Sequence, residues 1–314
     1  MPYNRVTTPE GIGWCLVLMK YRIPHIAVCC SLALLSFTGA AYLTVQSNRE
    51  VPLGSEKQIK VNLETGFGDI DISKGPSSKA VSLRMESKEK VELDDCFEYT
   101  VHDDVGFLNF STECKPDQSP RKHNNIHIDR LDSRDWQMQF TDAVPLSFDI
   151  QLGLGKGNID LTDLAVNDFS LSCGASSVSM RCDRPNKESI DEMSIEAGVS
   201  KFQAYGLCNM RFRHLKFNGG VGSYVLDFAG TLNREVDADI EVGLGSLTVR
   251  VPENTGVKIV YEKNWVTTVS IGDGFTKSND GDGEYFTSNY YSSKGRLNIH
   301  IDAGMGSVKI RRGS

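Results

Sequence analysis

The feature that most restricts the fold is a pair of glycines, two residues apart, set inside an alternating run. In "ADIEVGLGSLTVRVP" (238–252), Gly243 and Gly245 separate two stretches in which apolar and polar residues alternate. The arrangement recurs in "LETGFGDIDI" (Gly66, Gly68), "IQLGLGKGNIDL" (Gly153, Gly155), "KFNGGVGSYVL" (Gly220, Gly222) and "IHIDAGMGSVKI" (Gly304, Gly306). "SLSCGASSVSM" and "SIEAGVSKFQA" keep the first glycine as Gly174 and Gly198, with Ser176 and Ser200 in the second place. The first glycines at 153, 174, 198, 220 and 243 are 21, 24, 22 and 23 residues apart. A fixed period of this length marks a stacked repeat architecture.

Within each copy the alternation has period two. Phe169, Leu171 and Cys173 share one face and Ser170 and Ser172 the other, as expected of a strand with one buried side. A further apolar residue, Leu164, Leu207 or Leu232, follows near a turn rich in Asp, Asn and Gly. A lone rung of this kind cannot bury its inward face, so rungs must stack. Glycine reaches positive φ and permits close backbone approach, and a corner repeated on every rung requires both. The expected corner glycines are Gly66, Gly153, Gly174, Gly198, Gly220, Gly243 and Gly304. The rival reading of "GLGKG" (153–157) is a phosphate-cradling loop, but such loops join a strand to a helix, and here strand follows strand.

The expected fold is therefore all-β, a single-stranded β-solenoid with ~22-residue rungs, preceded by one transmembrane helix. Residues 23–45 hold no charge except a titratable His25, and Lys20 and Arg22 flank them. That length spans about 30 Å as a helix, one hydrocarbon core. The expected organisation is a cytosolic or matrix-side tail (1–23), a spanning helix (24–45), an N-terminal β-region with a hairpin (46–150), regular repeats (151–260), then an insert and final repeat (261–314). The positive-inside rule places residues after 45 on the non-cytosolic side, in a bacterial envelope or, alternatively, at a mitochondrial inner membrane facing the intermembrane space. A cleaved signal peptide ending at Gly39-Ala40-Ala41 is the rival. The net charge of −7 and the lack of a basic stripe with interleaved aromatics exclude nucleic acid as the expected partner. The expected partners are the membrane and other membrane proteins.

Of eight cysteines, Cys173 and Cys182 fall on inward positions, and no CxxC signals zinc or redox chemistry. "CFEYTVH" (96–102) and "FLNFSTEC" (107–114) both alternate around the turn "DDVG". With the turn centred near residue 105, Val101 opposes Asn109, Tyr99 opposes Ser111, and Cys96 opposes Cys114, an expected disulfide. "HNNIH" (123–127) follows a proline-containing polar loop, and "NDGDGEY" (279–285) misses two calcium-ligand positions. No nucleophile, base and oxyanion site assembles, so neither catalytic residues, cofactor nor metal is expected. From Gly243 to Gly304 the spacing is 61 residues, which leaves an insert at 273–291 containing "GEYFTSNYY". Tyr285, Phe286, Tyr290 and Tyr291 there read either as a partner-contact loop or as a cap on the solenoid end.

Residues 136–260 resemble the toast-rack β-repeat family, through "WQMQF", "VPLSFDIQLGLGKGNIDLTDL", "CGASSVSM", "EAGVSKFQA" and "GGVGSYVLDFAGTLNREVDADIEVGLGSLTVRVPENTGV". "ETGFGDIDI" and "DAGMGSVKI" extend the likeness. Related domains occur in the C-terminal half of LiaF-type cell-envelope stress regulators and in candidate bacterial adhesins. The resemblance implies a β-solenoid-like fold, a non-catalytic role and no active-site residue to carry over. Three functions are expected. The first is a membrane-anchored structural or interaction module, an accessory subunit of a larger membrane assembly. The second is an envelope-stress sensor or surface adhesin. The third is an extracellular carbohydrate-active protein.

Overall fold

The computed structural model describes residues 45–87, 93–112, 135–262, 265–279 and 283–313. Residues 24–44 of the expected spanning helix lie outside these, and Val45 opens a strand. No helix among the described residues is long and apolar enough to cross a membrane. Residues 1–43 and 44–314 are separate units, and every described residue belongs to the second.

Six long strands form its centre: β8 (Leu146–Asp160), β9 (Val166–Arg181), β10 (Ile190–Tyr205), β11 (Phe212–Asp227), β12 (Glu235–Val251) and β17 (Arg296–Arg312). They stack in that order, all parallel and in register, with Gly155 beside Ser176, Gly222 beside Gly245 and Gly245 beside Gly306. β2 (Gln58–Phe67) and β3 (Asp69–Lys74) make one further rung, interrupted at Gly68, on the other side of β8.

Each rung carries its alternation through the glycine pair with a slip of one. In β8 the buried positions are Leu146, Phe148, Ile150 and Leu152 before the pair, then Gly157 and Ile159 after it. A straight strand would keep one parity and send the second half's apolar side chains to solvent. The slip turns both halves towards one core, where Leu63, Phe148, Leu171, Ile195, Phe217, Ile240 and Ile301 are joined with Ile72, Ile159, Met180, Ala204, Leu226, Val249 and Ile310. Leu164 and Leu207 close the return loops fully buried, and Leu232 packs against the core half-exposed.

Both ends depart from chain order. β6 (Val105–Ser111) and β7 (Asp135–Phe140) lie outside β2 and β3, parallel to them, although they precede β8 in sequence. β13 (Gly256–Tyr261) and β14 (Thr267–Ile271) lie outside β17, although they too come first. Antiparallel strands complete the ends. β4 (Lys79–Ser87) pairs with β7, β1 (Val45–Pro52) with β4, and β5 (Phe97–His102) with β6. At the far end β16 (Glu284–Thr287) pairs with β13 and β15 (Phe275–Lys277) with β16. The 61-residue interval from Gly243 to Gly304 thus contains a rung that carries no glycine pair, β13 with β14, as well as an insert.

The hairpin register differs from the one expected. Val101 pairs with Gly106, Tyr99 with Leu108 and Phe97 with Phe110. The turn is two residues, Asp103 and Asp104, at φ 51° and 62°. That left-handed pair makes a tight hairpin turn in place of a longer one centred near 105. Cys96 consequently lies opposite Ser111, whose N–H donates to the Cys96 carbonyl at 3.0 Å. Cys96 is disulfide-bonded, while Cys114 lies outside the described residues.

Return loops are tied across rungs by Asp142. Its carboxylate accepts from Ser77 (2.5 Å), Lys74 (2.7 Å) and Lys187 (3.1 Å). Those donors hold its pKa well below the usual range, the hydrogen bonds from Lys74 and Ser77 contributing most. A depressed folded-state pKa stabilises above the unfolded value, about 4, and that contribution is lost as pH falls towards the folded one. Asp142→Asn should therefore lower the denaturation midpoint at pH 7 and flatten its decline below about pH 4. Parallel pH profiles of the two proteins would argue against this.

Candidate interaction surface

The glycine pairs form two columns, both packed closely on the preceding rung. In the first, Gly174, Gly220, Gly243 and Gly304 each lie so close to the preceding rung that a Cβ would meet the carbonyl oxygen of its column neighbour at 2.6–2.9 Å. Gly153 is crowded in the same way against Gly66, and a Cβ on Gly198 would reach the Cys173 and Gly174 oxygens at 3.2 Å. None of these first-column glycines has positive φ. Positive φ belongs to the second column, at Gly68 (132°), Gly155 (140°), Gly245 (141°) and Gly306 (134°). The second column is also the more crowded, since a Cβ on Gly155, Gly222, Gly245 or Gly306 would stand 1.9 Å from a carbonyl oxygen of the preceding rung. Gly155, Gly245 and Gly306 thus combine both properties, and the first column has close approach alone. Ser176 and Ser200 occupy the second column without positive φ, which is why serine is accepted there. β8 runs unbroken through "GLGKG", with strand on both sides and no helix to receive a phosphate.

A shallow groove follows the corner, lined by Glu196, Asn218, Glu241 and Asp302 alongside Gly198, Gly220 and Gly243. A second groove near the terminal rung is lined by Glu235, Asp237, Asp239, Lys258, Tyr290, Asn298 and His300. Here the polar groups are mutually bonded. Asn298 Nδ2 donates to Glu235 and Asp237, both at 2.9 Å, Tyr290 Oη donates to Asn298 Oδ1 at 2.7 Å, and Arg296 Nε donates to Glu235 at 3.0 Å. Lys258 and Glu284 pair at 2.5 Å, which raises the lysine pKa and lowers that of the glutamate. Among the described residues no group of three His, Cys, Asp or Glu is arranged to hold a metal ion.

The four expected contact aromatics divide. Tyr285 stacks on Tyr261 (6.0 Å) and packs against the core. Phe286, Tyr290 and Tyr291 cluster with centroids 5.1–5.9 Å apart, and Lys258 Nζ stands 5.5 Å over the Phe286 ring. Tyr290 is buried, and Tyr291 is 82% exposed. The cysteines Cys173, Cys182 and Cys208 are free and buried, and burial pushes the first two thiols up to about 12. The buried side chain of Asn186, which bridges three chain segments, is invisible in "RCDRPNKE", where it reads as loop polarity.

Residues 41–205 match the family model described as the N-terminal domain of toast_rack, DUF2154. The chain belongs to the toast-rack family. No curated protein matches it. A solved candidate cell adhesion protein from Clostridium sporogenes ATCC 15579 is similar over 86% of this toast-rack chain and 100% of its own, at 22% identity and a TM-score of 0.41. A candidate adhesin from Bacteroides fragilis NCTC 9343 is similar over 86% and 97%, at 13% identity and a TM-score of 0.37.

Proposed function

We propose that this toast-rack protein is a non-catalytic, single-pass membrane-anchored β-solenoid that serves as an interaction module, an accessory subunit of a larger membrane assembly on the non-cytosolic side. Family membership supports the structural, non-catalytic part. The apolar run at 23–45 with its Lys20/Arg22 flank supports the anchor. The observation that carries the reading is the aromatic cluster on the terminal rung, where exposed Tyr291 rests on Phe286 and Tyr290 beside an acidic groove. An aromatic anchor on a supported base, with polar groups around it, is how interface hot spots are built.

The test is purification of the full chain from membranes in mild detergent, beside a Tyr291→Ser variant. A stoichiometric membrane complex retained by the unaltered chain and lost by the variant, at unchanged thermal stability, is the expected result. Recovery of a membrane kinase would favour the stress-sensor reading, and glycan turnover by the purified chain would favour the carbohydrate-active one. A chain that purifies with no partner overturns the accessory role.

A further inference from the structure

Among the described residues eight large apolar side chains are exposed, and five of them, Leu154, Val199, Val221, Leu244 and Met305, at 46–63%, occupy one position: the residue between the two columns of the corner. Strand register puts Leu154 beside Ala175, Val199 beside Val221, Val221 beside Leu244 and Leu244 beside Met305. The β9–β10 register, Cys173 with Ala197 and Ser177 with Lys201, brings Ala175 next to Val199. Isolated exposed apolar residues are ordinary, but an unbroken row marks a contact surface. With half-buried Phe67 beside Leu154, the row crosses seven rungs, about 29 Å at ~4.8 Å per rung.

We propose that this ridge is the interface with a second copy of the chain, the two stacks lying side by side and parallel about a two-fold axis that runs along the ridge. Pitch favours a second copy over a helix. Another stack repeats at the same ~4.8 Å and stays in step along the whole row, whereas a helix repeats at ~5.4 Å and drifts by more than half a rung over six steps.

Charge selects the parallel arrangement. One flank of the ridge, two residues before the first glycine, carries Glu64, Glu196, Glu241 and Asp302. The other flank, three residues after it, carries Lys156 and Lys201, with serines at 177, 223, 246 and 307 and one acid, Asp69. A two-fold axis along the stack sets each copy's acidic flank against the other's lysine and serine flank, so Glu196 meets Lys201 of the partner copy. An antiparallel pair would set acids against acids, which is unfavourable. With a flank-to-flank width of five residues, roughly 17 Å, the surface is ~500 Å² a side, the lower limit for a specific interface, so the dimer is weak and concentration-dependent. This inference does not rest on the accessory-subunit reading.

The test uses the full chain in detergent with Leu154→Cys or Leu244→Cys, one at a time, the unsubstituted chain giving the background from native thiols. A parallel axis along the ridge brings every ridge residue to its own counterpart, so each variant alone should form a cross-linked dimer with a short bis-maleimide. Lys201→Glu should shift sedimentation from dimer to monomer, and adding Glu196→Lys should restore the dimer. Cross-linking only when the two cysteine variants are mixed would mean an antiparallel pair and overturn the proposal. So would sedimentation as a monomer with no self-cross-linking at either position, and so would ridge cysteines shielded in membranes without cross-linking, since lipid or another protein would then be the occupant.

Discussion

Gly245→Ala should cost about 3–5 kcal/mol, the sum of backbone strain and overpacking. Gly245 holds φ 141°, a conformation in which an L side chain is strained, and its Cβ would overlap the Gly222 carbonyl oxygen of the neighbouring rung. That oxygen is backbone, held by a strand on each side, so it cannot swing away as a side chain would. Gly243→Ala, two residues earlier, should cost less, about 1–3 kcal/mol. Its φ is ordinary, and its Cβ would stand 2.9 Å from the Gly220 oxygen, against 1.9 Å from the Gly222 oxygen for a Cβ on Gly245. Urea unfolding of the two variants measures the difference. Equal losses would contradict the added cost assigned to the positive φ and the closer backbone contact at Gly245.

Asn186→Ala should destabilise by about 2–4 kcal/mol, because it strands backbone groups that are already buried. Asn186 is 3% exposed. Its Oδ1 accepts from the Val166 N–H at 2.9 Å, and its Nδ2 donates to the carbonyls of Val166 (2.6 Å) and Met210 (3.2 Å). The side chain thus does for the start of β9 and the turn after β10 what a ladder bond would do if the loops were strands. Asn186→Asp keeps the acceptor but loses both donations, and adds a charge that burial opposes, so it should be no milder than alanine. An aspartate variant close to the unaltered protein in thermal midpoint would contradict the role given to the two carbonyl contacts.

The repeat and its strand character can be read from the sequence because they are local. Alternation in "DFSLSCG" and the recurrence of the glycine pair need no knowledge of distant partners. What is hidden depends on residues far apart in the chain. The rung of β13 and β14 has no glycine pair between its halves, where the sequence reads "EKNWV" (262–266), so no periodic signal announces it. The hairpin register differs from the expected one by three residues because two consecutive aspartates are an unusual choice for a turn with both residues left-handed, where Asn-Gly or Asp-Gly is the common signal. The outward ridge is visible letter by letter as Leu154, Val199, Val221, Leu244 and Met305, yet alternation alone counts them as one more apolar position. Only the slip of parity at the corner shows that they face outwards. Of the aromatic insert, composition identifies the cluster, but only packing separates Tyr285 and Tyr290, which hold the end of the stack together, from Tyr291, which does not.

The exchange of order at the far end has a consequence for synthesis. A simple stack can grow as it leaves the ribosome, each new rung laid on the last. Here β13 and β14 are made before β17, yet their native neighbour is β17 and not β12. Until residues 296–312 arrive, the exposed edge of β12 and the terminal pair have no native surface to share. The strand that completes them must be threaded as an interior layer, with Ile299 and Ile301 sealed between two rungs already present. Assembly at this end is therefore ordered like an arch, in which the outer stones wait for the keystone.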